Sequence, residues 1–257
     1  MENIIYEKKE RIAIITLDRA EKRNALSYEL VKELREALTT AEEDTEVKAI
    51  ILKAEGNTFC AGADLAYLQK LQEFSYEENL DDSKNLMELF RKIYTMGKVV
   101  IAQVQGHAIA GGCGLAAVCD FSFVAPEAKF GYTEVRIGFV PAIVSIFLIR
   151  KIGEAKTRQM LLSGDLIDAT AAKNWGLINY IVPSDELEEK VFDFVQKICI
   201  SNSGESMAYT KKLIAEVPSL GLVGGLEYAT EINAQARSGK DCKSGIAAFL
   251  NKEKITW

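Results

Sequence analysis

The chain reads as an α/β protein built around a parallel sheet, and three features of its first half carry that expectation. β-Branched runs bounded by polar residues recur at 11–17 ("RIAIITL"), 47–54 ("VKAIILKA") and 99–105 ("VVIAQVQ"), the pattern of buried strands. An amphipathic segment separates the first two. Strands that alternate with helices imply crossover connections and hence parallel pairing.

The elements follow in order. Between the first two strands a helix is predicted from about Ser27 to Glu43, with Leu30, Leu34, Ala37, Leu38 and Ala41 on one face and Ser27 as its cap. The acidic segment 73–85, "EFSYEENLDDSKN", reads as an exposed, mobile loop. "DFSFVA" after Cys119 is a further strand-like run. From Ser184 onward the pattern becomes helical. "SDELEEKVFDFVQKICI" places Leu187, Val191, Phe194, Val195 and Ile198 on one stripe behind a Ser cap. Two or three more helices follow, broken by "NSGES" and "EVPSLGLVGG".

A chain of 257 residues can bury one large core without being split. Its net charge of −6 argues against a nucleic-acid or anionic-membrane surface. The opening "MENIIYEKKE" lacks the pattern of a secretory leader, and the apolar run "FVPAIVSIFLI" is too short to span a bilayer. Five cysteines without framework spacing or a CxxC pair suggest reduced thiols in a cytoplasmic setting. Because His107 is the only histidine, zinc sites and His-based triads are disfavoured, and His107 is read as structural.

The segment "HAIAGGCGLAAVCD" leaves the backbone bare at Ala110, Gly111, Gly112 and Gly114, and "FGYTEVRIGF" beyond it carries Glu134 in apolar surroundings. Three readings compete. Gly112, Gly114 and Ala117 formally match a dinucleotide fingerprint, with Glu134 twenty residues beyond Gly114. The context fails, because "VVIAQV" ends well before Gly112 and too few residues precede the next strand for a crossover helix. Tight helix-to-strand packing explains Gly112 and Ala116 but leaves Glu134 unexplained. The third reading is an oxyanion hole. Amides at a helix N-terminus point outward unpaired with partial positive charge, and small residues let a carbonyl oxygen approach. "FCAGADL" (59–65) offers a second bare turn leading into a helix.

At this point the sequence resembles the crotonase, or enoyl-CoA hydratase/isomerase, superfamily. The resemblance spans essentially the whole chain. It runs in order through "KRNALS" (22–27), "FCAGADL", "QVQGHAIAGGCGLAAVCDFSFVAPEAKFGYTEVRIGFVPA" and "AKNWGLINYIV" (172–182). It implies a crotonase-like spiral of ββα units over residues 1–197, holding the CoA and active site. A C-terminal helical trimerisation region would follow at 198–257. The implied assembly is a trimer or a dimer of trimers. The implied partner is an acyl-CoA substrate, with coenzyme A as part of that substrate and no separate cofactor or metal.

Carried over by residue, the resemblance makes the Ala63 and Gly111 amides the oxyanion pair and Glu134 a catalytic glutamate. Lys22, Arg23, Ala25 and Leu26 match segments lining the CoA groove, as do Ala61, Asp64 and Leu65. Phe249 and Lys252 match positions near the adenine, often supplied by a neighbouring subunit. Lys22 and Lys252 also read as solvated charges, and Phe249 as helix core. Tyr132 is a candidate donor. Glu134 could instead form a structural ion pair with Arg136 or Lys129. Cys60, Cys113 and Cys119 are read as packing residues, and Asp120 as a structural acid.

The family's hydratases typically carry a second glutamate where this chain has Gly114. Glu134 must then do both proton transfers, or the reaction is double-bond isomerisation or decarboxylation, or the chain merely binds acyl-CoA. Gly114 is expected to leave room for a branched acyl chain. "EVRIG" and "PA" resemble bacterial methylglutaconyl-CoA hydratases, and Arg136 is a candidate contact for the acid of such a substrate.

Overall fold

The computed structural model describes residues 1–257, apart from the side chain of Leu65. Among the described residues two sheets and ten α-helices are formed, beginning with β1 (Ile4–Lys9), β2 (Ile12–Leu17), α1 (Tyr28–Glu43), β3 (Ala49–Ala54), β4 (Thr58–Cys60), α2 (Leu65–Leu71) and α3 (Tyr76–Thr95). Next come β5 (Val99–Val104), β6 (His107–Ile109), α4 (Gly111–Val118), β7 (Phe121–Val124), β8 (Lys129–Gly131) and α5 (Ala142–Ser163), which breaks at Gly153. The chain ends with β9 (Ile167–Asp168), α6 (Ala169–Asn174), β10 (Tyr180–Ile181), α7 (Leu187–Ser201), α8 (Gly204–Glu216), α9 (Leu222–Ser238) and α10 (Lys240–Asn251).

The first sheet has six strands in the order β1-β2-β3-β5-β7-β10, all parallel from β2 onward, with β1 an antiparallel edge. Both faces are buried, which explains the near-continuous apolar runs in its central strands. Ala13, Ile15, Ile50, Leu52, Val100 and Ala102 enter the main core beside α1. Their neighbours Ile12, Ala49, Ile51, Val99 and Ile101 enter a second core beneath α7. This is the period-two alternation that pleating demands. Ser27 caps α1 by accepting from the Leu30 amide, and all five predicted face residues are buried.

The second sheet, β4-β6-β8-β9, is short, and β4, β6 and β8 run parallel. Its strands of two or three residues carry no readable periodicity, so they escape sequence analysis. The carboxyl ends of β4, β6 and β8 lie side by side and lead into the segments singled out in the sequence.

Two local expectations are corrected. Most of the acidic segment 73–85 is not a loop: it forms the first turns of α3, launched by a capping box in which Ser75 accepts from the Glu78 amide and Glu78 accepts from the Ser75 amide. The opposite face of that helix, with Leu89, Phe90 and Ile93, is buried and supplies the stabilisation that composition hides. Ser184 does not cap α7; its hydroxyl donates to Glu127 instead, and Glu186 occupies the cap position. The α7 stripe is otherwise as expected, with Cys199 completing it and Phe194 and Ile198 at its half-buried margin. The expected division at 197/198 falls inside α7. Among the described residues no helix is long and apolar enough to cross a membrane.

Candidate active site

Three parallel strands end side by side, and each delivers one predicted functional segment: β4 leads to Ala61–Ala63, β6 to Ala110–Gly111, and β8 to Tyr132–Glu134. Ligands of α/β sheets commonly bind outside such carboxyl ends.

The Ala63 amide is freed by its neighbours. Leu26 forms a parallel bridge with Ala63, donating to the Gly62 carbonyl (2.6 Å) and accepting from the Asp64 amide (3.0 Å). In a parallel bridge the partner strand engages the carbonyl before and the N–H after the bridged residue, so the N–H of Ala63 itself points to the other side. Gly111 is the first residue of α4, where an amide has no intrahelical partner. Among the described residues neither amide has a hydrogen-bond acceptor.

Glycines bring these turns together. Gly62 has φ +91°, and a Cβ there would stand 2.7 Å from the Cβ of Ala110. A Cβ at Gly112 would overlap the Cys60 carbonyl, so only glycine lets α4 lie on β4. Ala110 holds φ 52° and ψ −126° despite its side chain, a strained conformation secured where its amide donates to Gly131 at 2.7 Å. That bond joins the start of α4 to the end of β8, three residues before Glu134.

Glu134 opens a 3₁₀ turn, Glu134–Ile137. Neither proposed salt bridge forms: Arg136 pairs with Asp165 at 2.8 Å, and Glu134 has no cationic partner among the described residues. One carboxylate oxygen, Oε2, is buried without a hydrogen-bond partner. Burial raises the pKa of Glu134 above the ordinary carboxylate range, against a smaller opposing effect from its own backbone amide. Tyr132 is fully buried, its hydroxyl also without a partner beside Cys113. Burial, then Cys113 and Glu134, push that phenol well above its usual range, so it stays protonated. Burial likewise raises the Cys60, Cys113 and Cys119 thiols to about 12, which suits packing rather than nucleophilic roles.

The remaining predicted residues divide. Ala25 and Leu26 are buried against the Ala63 turn, while Lys22 and Arg23 are exposed beside it, and Ala61 is half-buried. The Leu65 side chain lies outside the described residues. Asp64 does not offer a free carboxylate for a ligand. It caps α2, accepting from the Ala66 and Tyr67 amides at 2.8 and 3.2 Å, and pairs with Arg19 at 3.1 Å. Burial opposes its ionisation, but the Tyr67 and Ala66 amides and Arg19 outweigh it and hold the pKa below the usual range.

Gly114 makes no room for a branch: a Cβ there would overlap Val144 and stand 2.9 Å from Cε1 of Phe90. The place of a second carboxylate is already filled by apolar side chains. Phe249 and Lys252 lie on and just beyond α10, exposed, and the single chain does not bring them to the site.

Sequence reasoning missed Arg19 and Asn24. Arg19 also donates to the Ala25 carbonyl at 3.0 Å. Asn24, wholly buried, accepts from the Arg19 amide and donates to the Glu55 and Thr58 carbonyls. Together they fasten the Ala25–Leu26 segment that frees the Ala63 amide. A buried asparagine within "KRNALS" was the available signal. Asp64→Ala should cost about 1–2 kcal/mol through the lost cap and ion pair. Because the folded pKa is depressed, that contribution is present at neutral pH and lost as pH falls through the folded value. Urea melts of both proteins across pH check it.

A Thermus thermophilus protein is 41% identical over 249 residues, 97% of this chain and 98% of its own. A crotonyl-CoA hydratase of Syntrophomonas wolfei is 35% identical over 262 residues, 100% of this chain and 98% of its own. The crystal structure of an enoyl-CoA hydratase from Shewanella pealeana superposes with a TM-score of 0.93 at 28% identity, covering 99% of this chain and 96% of that one. The family model described as enoyl-CoA hydratase/isomerase matches residues 7–257. On these grounds, and on the site they surround, the chain belongs to the enoyl-CoA hydratase/isomerase family.

Proposed function

We propose that this protein adds water across the α,β double bond of a short enoyl-CoA, using Glu134 as its single carboxylate and the Ala63 and Gly111 amides as its oxyanion hole. The observation that carries this reading is the buried, unpaired Oε2 of Glu134 at the mouth of the strands whose neighbours end in two free amides. The thioester oxygen accepts from both amides. Glu134 takes a proton from water as the water oxygen bonds the β-carbon, and the α,β π-electrons move to form an enolate. The protonated Glu134 then returns its proton to the α-carbon, and the thioester carbonyl is restored. One water is consumed and no other reactant is needed. Charge develops on the thioester oxygen, where two fixed amides stabilise it most.

A short, neutral acyl chain fits the apolar filling beside Gly114, and the Syntrophomonas relative is named for crotonyl-CoA. The narrower reading, a branched acidic chain such as 3-methylglutaconyl-CoA, is supported by the "EVRIG" and "PA" resemblance. Arg136, the cation proposed for that acid, is instead occupied by Asp165. Loss of conjugated-enoyl absorbance with each thioester separates the two: we expect the higher kcat/KM with crotonyl-CoA. Faster turnover of the acidic substrate would restore the narrower reading, and turnover of neither would bring isomerisation or bare ligand binding forward.

A homotrimeric or hexameric assembly in the cytoplasm completes the proposal. Exposed Leu222, Val223 and Leu226 on α9, and Phe249 on α10, support the assembly, since large apolar side chains left on a surface mark contact faces. The free, largely buried cysteines support the setting.

A further inference from the structure

A cavity of about 560 Å³ lies at the opposite end of α4 from the Gly111 amide. Val118, Phe121, Phe147, Met207 and Ile214 line much of it. Its charged members are already engaged. Lys151 donates to the Ala117 and Cys119 carbonyls at 2.7 and 3.0 Å, Arg150 donates to the Ala215 carbonyl at 3.0 Å and the Ser219 hydroxyl at 2.8 Å, and Lys211 pairs with Asp120 at 2.6 Å. What remains available is mostly apolar surface, with Asn202, Ser206 and Thr210 at its margin, in a volume ordinary for small-molecule sites.

Aromatic rings stand between this cavity and the catalytic end of α4. Phe90, fully buried, abuts Gly114, and Val144 closes beside it. Phe90 stacks on Phe147 with centroids 6.0 Å apart, and Phe147 meets Tyr94 edge-on at 5.2 Å. Phe147 and Tyr94 face the cavity, whereas Phe90 and Val144 do not. The partition is therefore one stacked aromatic pair thick. Gly114 lies one helical turn from Gly111, so the inner face of the partition borders the place where a thioester held by the Gly111 amide continues into its acyl chain.

Resting on the function proposed above, we infer that the Phe90–Phe147 pair sets the acyl-chain length, closing the acyl site against a cavity that would otherwise receive a longer chain. Phe90 determines specificity without touching the reacting atoms. A medium-length enoyl thioester is rejected because its distal methylenes meet a ring, and rings packed at interior density do not yield cheaply. Removing Phe90 deepens the acyl site as far as the face of Phe147, and the added methylenes then contribute burial they cannot reach in the wild type.

The test compares hydration of crotonyl-CoA and trans-2-octenoyl-CoA by wild type, Phe90→Ala and the milder Phe90→Leu, which preserves more packing if the alanine variant fails to fold. The ratio of kcat/KM for the eight-carbon to the four-carbon substrate is expected to rise by roughly tenfold or more, mainly through KM. An unchanged ratio in a folded variant overturns the inference. If the wild type hydrates neither thioester, the hydratase reading fails by itself. The partition is then judged by binding: octanoyl-CoA should gain affinity over butyryl-CoA in the variants, and equal gains or none would sink it.

Discussion

Replacing Glu134 by glutamine should abolish turnover while leaving the fold intact and more stable at neutral pH. The amide keeps the shape of the side chain but cannot take a proton from water, so kcat should fall by about 10²–10⁴. The stability change follows from the raised pKa. A buried carboxyl that prefers to be neutral binds its proton more tightly when folded than when unfolded. Ionised Glu134 therefore destabilises the folded state above its folded pKa, and this penalty disappears once pH falls below the unfolded value. Glu134→Gln should melt at a higher temperature than wild type near pH 8, with the gap closing in acid. A variant that lost both activity and stability would point to a structural role. Activity bought with stability is the usual arrangement at such sites.

Gly112→Ala is expected to be comparably damaging by a different route. Its methyl group would overlap the Cys60 carbonyl and stand 2.7 Å from the Cys60 Cβ. Neither is the end of a flexible side chain, so α4 must move away from β4. Overpacking of this kind costs about 1–3 kcal/mol. The larger effect should fall on catalysis. The Gly111 amide sits at the end of the displaced helix, opposite the Gly62–Ala63 turn, and one misplaced oxyanion donor costs ~10²–10³ in rate. Gly97→Ala is the control, since its added methyl would meet only the Cβ of Ala208, at an ordinary 3.7 Å, and its backbone lies outside the left-handed region. That variant should stay within about 0.5 kcal/mol of wild type with unaltered turnover. Equal behaviour of the two alanine variants would contradict the packing argument.

Much of the fold was legible because its signals are local. β2, β3 and β5 announce themselves as β-branched runs, and α1 by a Ser cap before a clean apolar face. The start of α3 was hidden because its exposed face is acidic, and composition spoke louder than the Ser75–Glu78 box. β4, β6 and β8 are too short for periodicity, yet they are the strands on which the site is hung.

The site divides in the same way. Bare backbone at Gly111 and Gly112 and a lone acid at Glu134 can be noticed along the chain. What fills the space beside Gly114 cannot, because Phe90 and Val144 come from helices distant in sequence. The expectation that glycine there means room was reasonable from one residue, and only packing reverses it. Asp64 is a similar case. It stands in a segment expected to line the CoA groove, and its use as the cap of the helix that follows is a pairing the sequence does not display.

In the proposed mechanism one carboxylate, held in a site that raises its pKa, both takes and returns the proton. The pH dependence of kcat/KM for crotonyl-CoA hydration tests it most directly. A single base predicts one rising limb, positioned above the ordinary carboxylate range, followed by a plateau, because Tyr132 remains protonated throughout. A descending limb near neutrality would require a second group that must be protonated to act, and would contradict the account.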